Sequence, residues 1–135
     1  MTPVDAHLRQ GAQQDNHNPS ATGVKFDGDK TRFDLLDPLW EEGVAKVLTF
    51  GAHKYAAENW RNGISYKRLI GALRRHVNAI QKGEDVDPET GLLHAYHAGC
   101  CLMFLSNFQA NKRHDLDDRV HVKGKRKHTL DQSRQ

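Results

Sequence analysis

Residues 74–104 read RRHVNAIQKGEDVDPETGLLHAYHAGCCLMF, and this stretch decides the fold. Its pattern predicts a helix, a tight acidic turn and a second helix antiparallel to the first. His76 precedes the turn, Glu84, Asp85, Asp87 and Glu89 form it, and His94 and His97 follow it. Histidines three residues apart share one helix face and can aim at one point. At roughly 1.5 Å of rise per residue, His76 lies about 9 Å from Lys82 and His97 about 12 Å from Glu89. The two imidazoles are expected to face each other, with the turn carboxylates within reach of anything bound beside them. Such a mixed set of carboxylates and imidazoles suits a divalent cation such as Mg2+ or Mn2+ better than thiolates would.

On the C-terminal side, Asp87-Pro88-Glu89 reads as an N-cap with proline at the first helical position and predicts a helix running to about Ala110. That helix is apolar on two sides: Leu92, Leu93, Tyr96, Cys100 and Met103 form one stripe, and Cys101, Phe104, Leu105 and Phe108 another. On the N-terminal side, Ser65 caps a helix from Tyr66 to about Lys82, whose buried stripe is expected to be Leu69, Leu73, Val77 and Ile80. An earlier helix starts at the Asp37-Pro38 cap and runs to about Ala57, with Trp40, Val44, Val47, Leu48, Gly51 and Tyr55 at spacings of three and four. The expected fold is all-α, with a core of three main helices completed by oligomerisation. A helix apolar nearly all round must be covered nearly all round, and a small fold buries too little of its surface alone. A homodimer or homotetramer with sites near the subunit boundaries is the expected assembly.

The chain has 135 residues, 37% hydrophobic and 27% charged, which fits one lean globular domain. No run of about 18 apolar residues is present, so a membrane partner is not expected. The start MTPVDAHLRQ lacks the apolar region of a secretory signal, and a cytoplasmic protein is expected. Cys100 and Cys101 are adjacent and point in different directions on a helix, so they are expected to be buried reduced thiols. The net charge of +3 permits nucleotide or nucleic acid as an anionic partner without selecting either.

Residues 1–22 are polar and aperiodic and are expected to form a disordered arm. In VKFDGDKTRFDLLDPL, Phe26, Phe33, Leu35 and Leu36 are expected to act as anchors around a turn at Gly28. Glu41 and Glu42 are read mainly as acids suited to a helix N-terminus, with a metal-ligand role as the other reading. The connection GAHKYAAENWRNG packs Lys54, Tyr55, Asn59, Trp60 and Arg61 together. A cation for phosphate, flat rings for stacking and an amide for a base edge are what a nucleotide pocket needs. The same aromatics serve equally well as core plugs. Arg75 reads as a phosphate contact or a solvated helix residue. Residues 112–135 carry eight Lys or Arg and four Asp, and 120–135 are expected to be a basic solvated tail.

Taken together and in order, GAHKYAAENWRNG, Tyr66, ALRRH, GEDVDPETGLLHAYH and LDDR resemble the phage dATP/dGTP diphosphohydrolase family. Its members are distant relatives of the MazG-like all-α nucleoside triphosphate pyrophosphohydrolases. The resemblance covers about Val24 to Arg119 and implies a MazG-like helical bundle over 23–119. It also implies hydrolysis of a purine deoxynucleoside triphosphate, chiefly dGTP with dATP as the second candidate, to the monophosphate and pyrophosphate. The dGMP formed would feed 2-aminoadenine nucleotide synthesis in a phage, inside the host cytoplasm. Carried over position by position, the matching residues are Lys54, Tyr55, Asn59, Trp60, Arg61, Arg75, His76, Glu84, Asp87, His94, His97, Asp117, Asp118 and Arg119. MazG-like enzymes place E-x-x-E on one helix and E-x-x-D on the next, whereas here the literal match, Glu84 to Asp87, lies in the turn.

The resemblance implies a Mg2+ or Mn2+ cofactor held among Glu84, Asp87, His94 and His97, with Glu41 or Glu42 as further ligands. His76 is expected to ligate or to act as general base, and Glu84 to belong to the catalytic set. Lys54, Arg61 and Arg75 are expected at the phosphates, and Asn59 and Trp60 at the purine. Two other readings stay open. One is a non-enzymatic helical module whose basic tail holds nucleic acid, which leaves the histidines and carboxylates around the turn without a purpose. The other is a structural zinc site at His76, His94 and His97.

Overall fold

A computed structural model describes residues 20–122, so most of the expected N-terminal arm and of the expected basic tail lies outside the described residues. The chain divides into two compact units, Met1–Leu36 and Asp37–Gln135. In the first, Lys30 N donates to Asp27 O at 3.0 Å, closing the expected turn at Gly28, and a 3-10 turn spans Phe33–Leu35. Arg32 grips Asp34 through two bonds of 3.0 and 2.7 Å. Phe26, Phe33 and Leu35 do not anchor this segment: they are 92%, 75% and 72% exposed.

The second unit is built from three helices, α1 (Pro38–Lys54), α2 (Tyr66–Gln81) and α3 (His94–Ala110). The all-α expectation holds among the described residues, with one isolated antiparallel bridge, Val86 to Leu93. Asp37 caps α1 by accepting from Leu39 N at 3.0 Å, with Pro38 inside the first turn. Ser65 caps α2 by accepting from Arg68 N. The first helix stops at Lys54 rather than Ala57, because residues 55–58 turn the chain into a short 3-10 segment, Asn59–Asn62.

α3 packs against both other helices and is the centre of the unit. Against α2, Phe108 meets Tyr66 and Leu69 in a buried cluster, flanked by Trp60, Ile64, Phe104, Leu105 and Leu116. Against α1, Tyr96 covers Gly43 and Trp40 covers Gly99. One expectation about burial changes: Leu69 is buried, yet Val77 and Ile80 of the same expected stripe are 41% and 38% exposed. On α3, Leu102 is half exposed among the described residues.

The residues after Arg113 tie the chain back to the start of α2. Asp118 Oδ1 accepts from Lys67 N at 2.8 Å, and the Arg119 guanidinium lies 5.1 Å from the Tyr66 ring centre while clasping Asp117 at 2.8 and 2.9 Å. LDDR therefore forms a clamp on the helical unit. Cys100 is buried and Cys101 half-buried, both as free thiols, and burial pushes Cys100 up to about 12. No helix among the described residues is long and apolar enough to cross a membrane.

Candidate functional site

The turn between α2 and α3 does not begin a helix at Asp87, as its Asp-Pro-Glu signature predicts. α2 ends at Gln81 and Gly83 takes φ +88°; Gly83 N donates to Ile80 O and Glu84 N to Ala79 O, both at 2.9 Å. Those paired bonds close a helix in which the residue after the Lys82 cap, Gly83, is left-handed, a conformation glycine adopts without steric cost. Beyond it, Asp87 Oδ1 accepts from Glu89 N at 2.8 Å, which is the first bond of an N-cap. The helix does not follow. Gly91 N bonds back to Asp87 O, Asp87 N to Leu92 O and His94 N to Asp85 O, each at 2.8 Å, and Gly91 has φ +73°. The loop folds as a small hairpin, and α3 starts at His94. An aspartate-proline turn and an aspartate-proline cap share their opening hydrogen bond, so the residues that follow decide between them.

This loop delivers its carboxylates to three imidazoles. The His76 and His97 rings stack with centres 4.7 Å apart and planes 9° off parallel, as the helix arithmetic anticipates. His76 Nδ1 is 2.9 Å from His94 Nδ1, and His94 Nε2 is 2.8 Å from Glu84 Oε1. His97 Nε2 is 2.7 Å from the Thr90 hydroxyl and 3.7 Å from Asp87 Oδ2. One donor atom each from His76, Asp87 and His94 fall within 4.8 Å of one another, a grouping among the described residues that could hold a metal ion. His94 is buried at 5% exposure, and the Asp87 and His97 side chains are nearly so.

Burial, then the charges of His97 and His94, hold His76 below the ordinary imidazole range, against the pull of Asp87. Burial lowers His97 likewise, with Asp87 opposing. Neutral imidazoles carry a free lone pair, the form that binds metals.

The remaining expected site residues lie in other settings. Lys54 Nζ is 3.5 Å from Glu89 Oε1, beside the loop. Trp60 stacks on Phe104 at 4.6 Å, and Arg61 lies 4.4 Å from the Trp60 ring centre. With Phe104 stacked on one face, Arg61 has room only over the other. Phe104 follows His97 by seven residues, about 10 Å along α3, so Trp60 is not in the histidine cluster. Asn59 accepts from Asn62 at 3.4 Å, and Arg61 pairs with Glu58 at 3.1 Å. Arg75 lines an open groove of about 490 Å³ with Gly71, Arg74, Val77, Asn78 and Gln81, all from α2. Glu41 and Glu42 are exposed near the start of α1, with Glu42 3.6 Å from Lys46. Thr90, which no sequence pattern marks, holds both His97 Nε2 and Leu92 N.

Comparison with known proteins places the chain in a family. The family model described as dATP/dGTP diphosphohydrolase, N-terminal, matches residues 20–119. A curated relative from Salmonella phage PMBT28, a dATP/dGTP diphosphohydrolase, is 46% identical over 98 residues, covering 73% of this chain and 33% of the relative. The chain thus spans about a third of the length of that relative. No solved structure matches it. With a family match across residues 20–119 and the histidine loop inside it, the chain belongs to the dATP/dGTP diphosphohydrolase N-terminal family.

Proposed function

We propose that the chain hydrolyses a purine deoxynucleoside triphosphate, chiefly dGTP with dATP as second substrate, to the monophosphate and pyrophosphate. The observation that carries this reading is the convergence of His76, Asp87 and His94 within 4.8 Å, inside a domain whose relative is named a dATP/dGTP diphosphohydrolase. The cofactor is a divalent cation, Mg2+ or Mn2+, held by residues of the set His76, Glu84, Asp87, His94 and His97. When bound, such an ion neutralises triphosphate oxygens and lowers the pKa of an attacking water. In a phage, the product dGMP would supply 2-aminoadenine nucleotide synthesis in the host cytoplasm.

The chain's own groups then have distinct tasks. Lys54, beside the loop, attracts the triphosphate, and Arg75 offers a second cation from α2. A purine stacking on Trp60 would take the face that Arg61 covers, which releases Arg61 toward a phosphate and leaves the Asn59 amide for the base edge. What supports a ligand role for His76 over a general-base role is its Nδ1 lying 2.9 Å from that of His94. The catalytic domain is taken as 23–119, working as a homodimer or homotetramer that covers the exposed apolar faces of α2 and α3.

The test is incubation with each of the four dNTPs and Mn2+, followed by chromatographic separation of products. Purine monophosphate and pyrophosphate should form from dGTP, more slowly from dATP and hardly from the pyrimidines. No turnover of any dNTP, or release of single phosphates, refutes the reading.

A further inference from the structure

We propose that His76 Nδ1, His94 Nδ1 and Asp87 form the inner ligand set of one exchangeable first-row transition-metal ion, oriented from behind by Glu84 and His97, so that Mn2+ binds in preference to Mg2+. This deepens the reading above and rests on the cluster holding a divalent cation.

The first argument is the spacing of the two ring nitrogens. Two donors about 2.1 Å from one ion and at a right angle lie about 3.0 Å apart. His76 Nδ1 and His94 Nδ1 are separated by 2.9 Å, a ring-to-ring hydrogen bond at the spacing an ion would need if it took the place of the shared proton.

The second is tautomeric. An ionised carboxylate only accepts hydrogen bonds, so Glu84 Oε1 at 2.8 Å draws the His94 proton onto Nε2 and leaves Nδ1 as an inward lone pair. A carboxylate behind a ligating histidine fixes its ring and raises its basicity. Glu84, with 55% of its side chain in solvent, thus acts through His94, and the buried imidazole faces the site.

The third concerns Asp87 and His97. Asp87 Oδ1 is taken by Glu89 N, and its side chain is only 15% exposed. His97 Nε2 is occupied by the Thr90 hydroxyl at 2.7 Å and stands 3.7 Å from Asp87 Oδ2, behind the carboxylate. The inner set is then two imidazoles and one carboxylate. Mg2+ prefers oxygen donors and gives up its water reluctantly, whereas imidazole donors favour first-row transition metals, among which Mn2+ is the one that also accepts carboxylate and water readily.

The experiment uses the full chain, stripped with chelator and titrated with Mn2+ under electron paramagnetic resonance, with Mg2+ as competitor. One Mn2+ per chain should bind, excess Mg2+ should displace it only weakly, and pulsed measurements should detect imidazole nitrogen coupled to the manganese. Glu84→Ala should weaken Mn2+ binding about 10- to 100-fold. Glu84→Gln, whose carboxamide oxygen still accepts from His94, should recover most of it, and the nitrogen coupling should persist in both. His94→Ala should remove one nitrogen coupling. Because the wild-type spectrum alone decides the donor set, misfolding of a variant does not leave the question open. Bound Mn2+ without nitrogen coupling, equal affinity for Mg2+, or stoichiometric zinc that survives dialysis would each overturn the assignment. Nitrogen-coupled Mn2+ with no dNTP hydrolysis keeps this site and discards the proposed reaction. Hydrolysis with a Mg2+-preferring, nitrogen-free site does the reverse.

Discussion

Asp117, clasped by Arg119, and Thr90, bonded to His97 in the histidine cluster, show how single residues hold this unit. The Arg119 guanidinium, the largest influence, holds the Asp117 carboxyl far below the usual carboxylate range, against burial. A depressed folded-state pKa gives stability that is present in full above the unfolded value, about 3.9, and is lost as pH falls through that value toward the folded one. Wild-type urea midpoints should therefore drop steeply below about pH 4. Asp117→Asn should lose about 1.5 kcal/mol at neutral pH, the low end of the range because Arg119 is partly exposed, and show a shallower acid slope. Parallel acid slopes for the two proteins would exclude Asp117 as the titrating group. Thr90→Val removes the hydroxyl that engages His97 Nε2 and Leu92 N, and should cost about 1–3 kcal/mol of unfolding free energy. Thr90→Ser should cost little, and a denaturation series in which both behave alike would count against the hydroxyl. The histidine pair was legible because helical spacing fixes which side chains share a face. Thr90 was not, since a loop hydroxyl shows its partner only once the loop is closed.

Between elements, the seam of α1 on α3 is a reciprocal fit. Trp40 and Gly43 lie three residues apart on α1, Tyr96 and Gly99 three apart on α3, and each aromatic ring covers the other helix's glycine. A Cβ at Gly43 would overlap the Tyr96 ring, and one at Gly99 would meet Trp40 at 3.0 Å. Gly43→Ala should destabilise by about 1–3 kcal/mol, the usual cost of overpacking. Gly51→Ala on the same helix should stabilise by about 0.5–1 kcal/mol, since nothing lies within 4 Å of its added methyl and alanine favours the helix. Thermal melts should move in opposite directions; a common direction would mean that helix propensity rather than fit governs the seam. Sequence periodicity revealed the existence of all three helices, and the caps at Asp37 and Ser65 revealed where two of them start. It misplaced the start of α3 because Asp87 makes the first bond of a cap, and only Gly91 at positive φ with the hairpin bonds shows that no helix follows.

At the scale of the whole molecule, the unanswered surface is apolar. Val77 and Ile80, four and seven residues beyond Leu73 on a stripe expected to be buried, are more than a third exposed, as is Leu102 on α3. The adjoining groove is lined, among the described residues, by α2 alone. A second copy is the occupant we infer for this face, because a two-fold contact sets the same patch against itself. The sequence announces this need through an α3 that is apolar all round, yet which faces stay open depends on how α1 and α2 divide its circumference, a tertiary fact that periodicity does not contain. Light scattering should therefore give a mass two or four times the 15.3 kDa of one chain. Val77→Glu with Ile80→Glu should return the protein to monomer while circular dichroism stays helical, since neither side chain is part of the buried cluster of α2 and α3. A wild-type protein that is already monomeric at micromolar concentration, or a double variant that keeps its assembled mass, would take this face out of the interface.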